Sequence, residues 1–120
     1  MANEIAVSVA MSASKGGVAV SNSGSRQATM AGDQMLSNVQ IIGTSAEAIT
    51  FGDVSTIGYV LLKNLDATNF VEIALDSAVS TQKFAKLLAL DMMLFPASTA
   101  TMYAKADTAN VNLLVQAVEL

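Results

Sequence analysis

The sequence predicts an all-β protein, a single-domain antiparallel β-sandwich. Several short stretches alternate apolar and polar residues with a period of two, the period of a β-strand. Turn-forming clusters of Gly, Asn, Asp and Ser separate about eight to ten such stretches at the spacing typical of sandwiches and barrels. The 120 residues are enough for one domain with its own core.

The prediction is organised around residues 57–75, IGYVLLKNLDATNFVEIAL. The first half of this stretch is apolar on both faces of an extended strand, which is typical of a central strand that is covered on both sides. Residues 64–69 supply turn-forming Asn and Asp side chains. In the second half Val71, Ile73 and Leu75 alternate with Glu72 and Asp76, which predicts a strand with one solvated face. We therefore predict a central hairpin with a structural role.

Residues 4–14 show the clearest alternation in the chain, with Ile5, Val7, Val9 and Met11 on one face and Ala or Ser on the other. A strand at the terminus has unpaired backbone groups, so it either closes the sheet of its own domain or reaches a neighbouring subunit. Both alternatives stay open from the sequence. We assign residues 1–14 to an N-terminal edge strand or arm and residues 15–120 to the sandwich domain. The four apolar residues are the candidate subunit interface.

The next segments are read in chain order. Residues 15–25, KGGVAVSNSGS, predict a turn, a short strand and a flexible loop, and residues 26–30 predict another short strand. Residues 35–42 predict a strand with Met35, Ser37, Val39 and Ile41 on one face. Residues 46–51 predict a short strand.

Residues 81–94 fit two structures. Phe84, Leu87 and Leu88 have helical spacing, whereas Phe84, Lys86 and Leu88 have strand spacing. We favour a strand because the surrounding chain is strongly β. Residues 92–95 are apolar and stop at Pro96, which cannot donate to a sheet ladder. A short strand at residues 101–105 and a turn at 106–110 follow. The last strand spans residues 111–118, with one apolar face formed by Val111, Leu113, Val115 and Ala117.

The residue inventory argues against catalysis and against metal or cofactor binding. The chain has no cysteine and no histidine, so it lacks Cys or His nucleophile–base pairs and thiolate or imidazole metal ligands. The carboxylates of Asp66, Glu72 and Asp76 cluster around the central turn, but no D-x-D-x-D-G calcium loop accompanies them. We expect these carboxylates to be solvated and structural, and the protein to be neither an enzyme nor a cofactor carrier.

The composition indicates a subunit of an assembly. Charged residues make up 13% of the chain, about half of the roughly 25% typical of globular domains. Part of the surface of such a small domain is then expected to be covered by other protein, although a monomer with an Ala, Ser and Thr surface is the alternative. The net charge is −4 and the six basic residues are scattered, which argues against direct nucleic-acid binding. The uncharged stretches are too short and polar for a membrane span, and no secretory signal is expected at the N-terminus.

Two stretches resemble small structural proteins of tailed bacteriophages: residues 59–75, YVLLKNLDATNFVEIAL, and residues 94–120, LFPASTATMYAKADTANVNLLVQAVEL. In those proteins a KNLDATN turn lies between two strands and a YAKADTA segment precedes the last strand. The resemblance covers roughly the C-terminal half of the chain. It departs at residues 89–91, Ala-Leu-Asp, where a turn containing glycine is expected.

The resemblance implies a sandwich or jelly-roll component of a virion that assembles in the host cytoplasm. The function expected from it is a head decoration or cement protein that bridges major capsid subunits, with homo-oligomerisation expected as well. A tail, collar or head-fibre component is the first alternative. A carbohydrate-binding module is a further one, although the chain has no tryptophan on which a sugar could stack.

Overall fold

The computed structural model describes residues 3–120, and within them the chain forms strands and no helix. Met1 and Ala2, which belong to the predicted 1–14 arm, lie outside the described residues. The strands in chain order are β1 (Ile5–Lys15), β2 (Val18–Ala28), β3 (Met35–Ile42), β4 (Glu47–Ala48), β5 (Ile57–Asn64), β6 (Val71–Ala74), β7 (Lys83–Leu87), β8 (Met92–Pro96), β9 (Tyr103–Ala106) and β10 (Val111–Glu119). All pairings are antiparallel, so the all-β, antiparallel prediction is confirmed.

The sandwich consists of two four-stranded sheets. One has the order β3-β10-β5-β8 and the other the order β4-β9-β6-β7. The pairs are nested along the chain, because β3 pairs with β10, β4 with β9, β5 with β8 and β6 with β7. From β3 to β10 the chain therefore crosses between the two sheets at every connection except that from β6 to β7.

The core lies between the two sheets and is formed by alternate residues of their strands. The predicted apolar face of the last strand is confirmed, because all four of its residues are at most 1% exposed: Val111, Leu113, Val115 and Ala117. Val60 and Leu62 of β5 face Val71 and Ile73 of β6 in the same cluster. Each buried Val, Leu or Ile side chain contributes about 1.5–3 kcal/mol through burial.

The predicted hairpin of β5 and β6 is wrong, although each strand is central in a sheet. β5 pairs with β10 and β8, whereas β6 pairs with β7 and β9. The connection between them crosses from one sheet to the other. The cause lies in Asn64, whose buried side-chain amide donates hydrogen bonds to the carbonyls of Asn69 and Leu87 and so turns the chain inward.

Two further predictions need correction. Residues 21–25 are not a flexible loop, because β2 continues through them to Ala28 and pairs with β1 at every position. Pairing with a long alternating partner overrides the local preference of Ser, Asn and Gly for turns. The strand predicted at residues 46–51 is reduced to Glu47–Ala48. Residues 81–94 form strands rather than a helix, as predicted, but a turn at residues 88–91 divides them into β7 and β8.

The turn between β7 and β8 uses a leucine where glycine is expected. Leu90 has φ 63°, in the left-handed region that non-glycine residues rarely adopt. Its N–H donates to the carbonyl of Asp66 at 3.1 Å, and the N–H of Asp91 donates to the carbonyl of Leu88 at 2.9 Å. These bonds hold a backbone conformation that the leucine side chain opposes.

Replacing Leu90 with glycine should therefore stabilise the fold slightly. The left-handed conformation costs a non-glycine residue about 1–2 kcal/mol, and glycine loses about 0.5–1 kcal/mol more entropy on folding, which leaves a small net gain. Little burial is lost, because Leu90 is 59% exposed. Urea unfolding measures the change. Leu88→Gly is the control, since Leu88 is 56% exposed but lacks the positive φ; equal destabilisation by both variants would contradict the prediction.

Candidate subunit interface

β1 and β2 form a long hairpin that projects from the sandwich. They pair in register from Ile5 with Ala28 to Lys15 with Val18, and they belong to neither four-stranded sheet. Gly16 and Gly17 form the two-residue turn with φ 60° and 84°, the positive values that a tight hairpin turn of this kind requires. Eleven extended residues span about 36 Å. The radius of gyration, 15.5 Å, accordingly exceeds the roughly 14 Å of a compact chain of this length.

The base of the hairpin is fixed to the outer face of the β3-β10-β5-β8 sheet. Ile5 and Ala28 pack on Tyr59 in a small buried cluster. The guanidinium of Arg26 donates a hydrogen bond to the Tyr59 hydroxyl at 2.5 Å. A carboxylate oxygen of Glu4 accepts the N–H of Met30 at 3.0 Å, which ties the two strands together below the cluster.

The structure separates the four predicted interface residues into two groups. Ile5 is buried within its own chain and Val7 is half-buried beside it. Val9 and Met11 lie further out and are 57% and 66% exposed. Contact with a partner stays a prediction for all four. Since β1 is paired with β2 over its whole length, the projecting unit also includes residues 18–28.

The two faces of the hairpin differ in chemistry. Cross-strand partners lie on the same face, so the register places Val9 and Met11 on one face with Val18 and Val20, which are 70% and 52% exposed. The opposite face consists mainly of small side chains: Ala6, Ser8, Ala10, Ser12, Ser14, Ala19, Ser21, Ser23 and Ser25. One side of the arm is therefore apolar and the other is flat and weakly polar.

The outer face of the β3-β10-β5-β8 sheet is also apolar. Met35, Val39, Ile41 and Met92 lie on it with exposures of 64%, 47%, 61% and 52%. The register places half-buried leucines between them: Leu61, Leu94 and Leu114. Large apolar side chains on a strand face that points away from the core usually mark a contact with other protein.

The outer face of the other sheet is charged. Glu72 of β6 lies between Lys86 of β7 and Lys105 of β9 in the register, and the Lys83 ammonium is 3.4 Å from the Glu72 carboxylate. The Lys86 ammonium lies 4.2 Å from the centre of the Phe70 ring. This pattern is typical of a face in water, so the two sides of the sandwich are not equivalent.

A groove joins the arm to the apolar sheet face. It encloses about 420 Å³ and is lined from the hairpin side by Val7 and from the sheet side by Met35, Tyr59, Leu61 and Leu94. The apolar side of the hairpin, the groove and the outer face of the β3-β10-β5-β8 sheet thus form one continuous surface. We call this surface the apolar face.

Two of the three carboxylates singled out in the sequence, Asp66 and Asp76, stabilise turns. The backbone N–H groups of Asn69 and Thr68 donate to Asp66 at 2.6 and 2.9 Å and lower the pKa of its carboxyl. Partial desolvation acts to raise the pKa of Asp76, but bonds from the N–H groups of Gln82, Ser80 and Thr81 outweigh it and lower that pKa to about 2. Within residues 3–120 no group of three or more Asp or Glu side chains is arranged to hold a metal ion.

The stability of the protein should fall between about pH 4 and pH 2 partly because of Asp76. The folded pKa lies below the ordinary value of 3.8, so the carboxylate stabilises the fold above that value and the contribution is lost as the pH falls towards 2. Asp76→Asn removes the titrating group. The difference in unfolding free energy between wild type and variant, measured in urea, should shrink over this range. A difference that stays constant from pH 7 to pH 2 would contradict the assignment.

Most of the apolar face is not predicted from the sequence. The alternation places Met35, Val39 and Ile41 on one side of a strand, which is confirmed, but it does not show whether that side faces the core. The signal was present in β5 and β10, where apolar residues occupy both faces. In a two-sheet sandwich only one face of a central strand packs against the core. A strand that is apolar on both faces therefore presents one apolar face on the outside.

The fold and the surface define an all-β sandwich with a projecting hairpin arm and one apolar side. No protein-family model, curated protein or solved structure matches this chain significantly. In the described part of the chain, no helix has the length and apolarity needed to cross a membrane.

Proposed function

We propose that this chain is a non-enzymatic structural protein of a bacteriophage virion, a head decoration or cement protein that bridges major capsid subunits. The observation that carries the structural role is the apolar face, which extends over one side of the hairpin and much of the outer face of the β3-β10-β5-β8 sheet, whereas the outer face of the other sheet is charged. A protein that works alone in water gains nothing from such a face, whereas an assembly subunit buries it.

The assignment to a virion rests on two further points. One is the resemblance of residues 59–75 and 94–120 to small structural proteins of tailed bacteriophages. The other is the nested strand order β3-β10-β5-β8 and β4-β9-β6-β7, which we interpret as a jelly roll, an architecture used in viral capsids. Jelly rolls also occur in lectins, so the fold alone does not select the virion.

The mechanism is mechanical. Apolar area buried across a joint between capsid subunits contributes about 25 cal/mol per Å², although the lost freedom of the partners offsets much of it. A particle offers many equivalent joints, and subunits linked to each other bind them with avidity. The joint then resists the outward pressure of the packaged genome.

Virions of the phage that encodes this sequence provide the test. Quantitative mass spectrometry of purified particles should find the chain at a copy number comparable to that of the major capsid protein. A copy number close to that of tail or collar proteins would reassign it to the tail, collar or head fibres. Absence from the particle would contradict the virion proposal.

A further inference from the structure

We propose that the apolar face is covered by a second copy of this chain, with the hairpin of each copy lying on the outer face of the β3-β10-β5-β8 sheet of its neighbour. The inference deepens the proposed structural role by naming the partner of this face. It concerns copies of the same chain only, so it can fail while the proposed virion function stands.

The chain does not cover this face itself. The hairpin contacts the sheet at its base, where Tyr59 packs against Ile5 and Ala28 and binds Arg26. Beyond this base, neither β1 nor β2 has extensive contact with a strand of the sandwich. The arm and the sheet face are consequently open at the same time, as the exposures of Met11 (66%) and Met35 (64%) show.

The arm and the sheet face match in chemistry. No charged residue occurs between Ile5 and Ser14 in β1 or between Val18 and Ser25 in β2. The receiving face carries apolar side chains on three of its strands, among them Val39, Leu114 and Met92. Lys63 also lies on this face, between Leu114 and Met92 in the register. Its long side chain can keep the ammonium in water while its stem lies on the apolar surface, so burying one surface against the other desolvates few charges.

The dimensions also match. The arm beyond its buried base, residues 8–15 with their partners in β2, presents a face of about 26 by 10 Å, and four strands of the receiving sheet are about 19 Å wide. One arm placed on one sheet buries on the order of 500 Å² in total, so a reciprocal exchange of two arms buries about 1,000 Å², at the lower end of the range of specific interfaces. A single arm contact falls below that range. The area thus favours exchange between copies over a one-sided contact.

Cysteine cross-linking tests the arrangement directly, because the chain has no cysteine of its own. Met11→Cys marks the apolar side of the arm and Val39→Cys marks the sheet face. The two single variants are mixed, treated with a short bismaleimide and separated by denaturing electrophoresis. We expect a cross-linked dimer that contains one chain of each variant.

Two matched variants control for random collision. Ser12→Cys lies next to Met11 on the opposite face of the arm, and Lys105→Cys lies on the charged outer face of the other sheet. All four positions are exposed in strands, so the variants should fold alike, which circular dichroism checks. The mixture of Ser12→Cys and Lys105→Cys should give at least tenfold less dimer. Equal yields from both mixtures would overturn the proposal.

Two other results would also overturn it. In the first, the protein sediments as a monomer at all concentrations, and a Met11→Cys and Val39→Cys double variant cross-links within one chain. This result means that the arm closes on its own sheet. Cross-linking of Met11→Cys to another virion protein, with none between copies, means that a different subunit covers the face. In that last case the proposed virion function survives and only the self-association fails.

Discussion

Replacing Asn64 with aspartate should destabilise the protein by about 3–5 kcal/mol, the range for an uncompensated buried charge. The Asn64 side chain is fully buried, and its amide nitrogen donates to the carbonyls of Asn69, Leu87 and Leu88 at 2.8, 3.1 and 3.1 Å. Its oxygen accepts the N–H of Asp66 at 2.9 Å. Aspartate has the same shape but places a carboxylate oxygen against three carbonyl oxygens. Urea unfolding at pH 7 measures the loss.

Asn69→Asp is the matched control for that experiment. Asn69 lies in the same turn, is half-buried, and its side-chain oxygen accepts the Thr108 hydroxyl at 2.8 Å. Aspartate preserves this acceptor, so the control should lose less than about 1 kcal/mol, as is usual for partly exposed positions that keep their bonds. If Asn64→Asp costs no more than Asn69→Asp, the role assigned to Asn64 is contradicted.

Replacing Met11 with aspartate should abolish self-association and leave the fold intact. The side chain is 66% exposed in the single chain, so the unfolding free energy of the monomer should change by no more than about 0.5 kcal/mol. In an exchanged pair the new charge is buried in an apolar contact without a partner, which costs several kcal/mol at each of two sites. Sedimentation velocity should show a loss of affinity of more than a hundredfold.

Ser12→Asp adds the same charge one residue along the arm. It lies on the opposite face, among Ala and Ser side chains, so the affinity should change by less than tenfold. A loss of association as large as that of Met11→Asp would mean that net charge, rather than the apolar face, controls the assembly.

The parts of the fold that the sequence predicts well are those whose local pattern agrees with their environment. β3 and β10 are long, and the sequence predicts them within about a residue of their observed ends. The four inward residues of β10 follow from its period-two pattern. In β10 every second residue from Val111 to Ala117 is buried, so the period of the sequence predicts directly which residues are buried.

The errors occur where a long-range contact decides the local structure. Residues 64–69 look like the turn of a hairpin, but the inward side chain of Asn64 sends the chain to the other sheet. Residues 21–25 look like a loop, but β1 pairs with them along their length. Neither partner is visible within the segment itself, so local propensity gives the wrong structure.

The predicted interface residues likewise include some whose exposure follows from the local pattern and one whose burial depends on a distant contact. Val9 and Met11 are exposed as the arm interpretation requires, yet Ile5 is buried by Tyr59, which lies far away in the sequence. To predict the part of the apolar face that lies on the sheet, one must know which sides of β3 and β5 face the core. The packing of the second sheet determines those sides, and the residue pattern of a single strand gives no information about that packing.

Methionine oxidation of the assembled protein tests most directly whether the apolar face is covered. Met11 and Met35 are 66% and 64% exposed in the single chain, whereas Met102 is 2% exposed and serves as the internal standard. Because peroxide oxidises exposed methionines first, mass spectrometry of native assemblies reports coverage at each position. We predict that Met11 and Met35 react about as slowly as Met102. Rapid oxidation of Met11 and Met35 while Met102 stays intact would show that the face is open to water and would contradict the account.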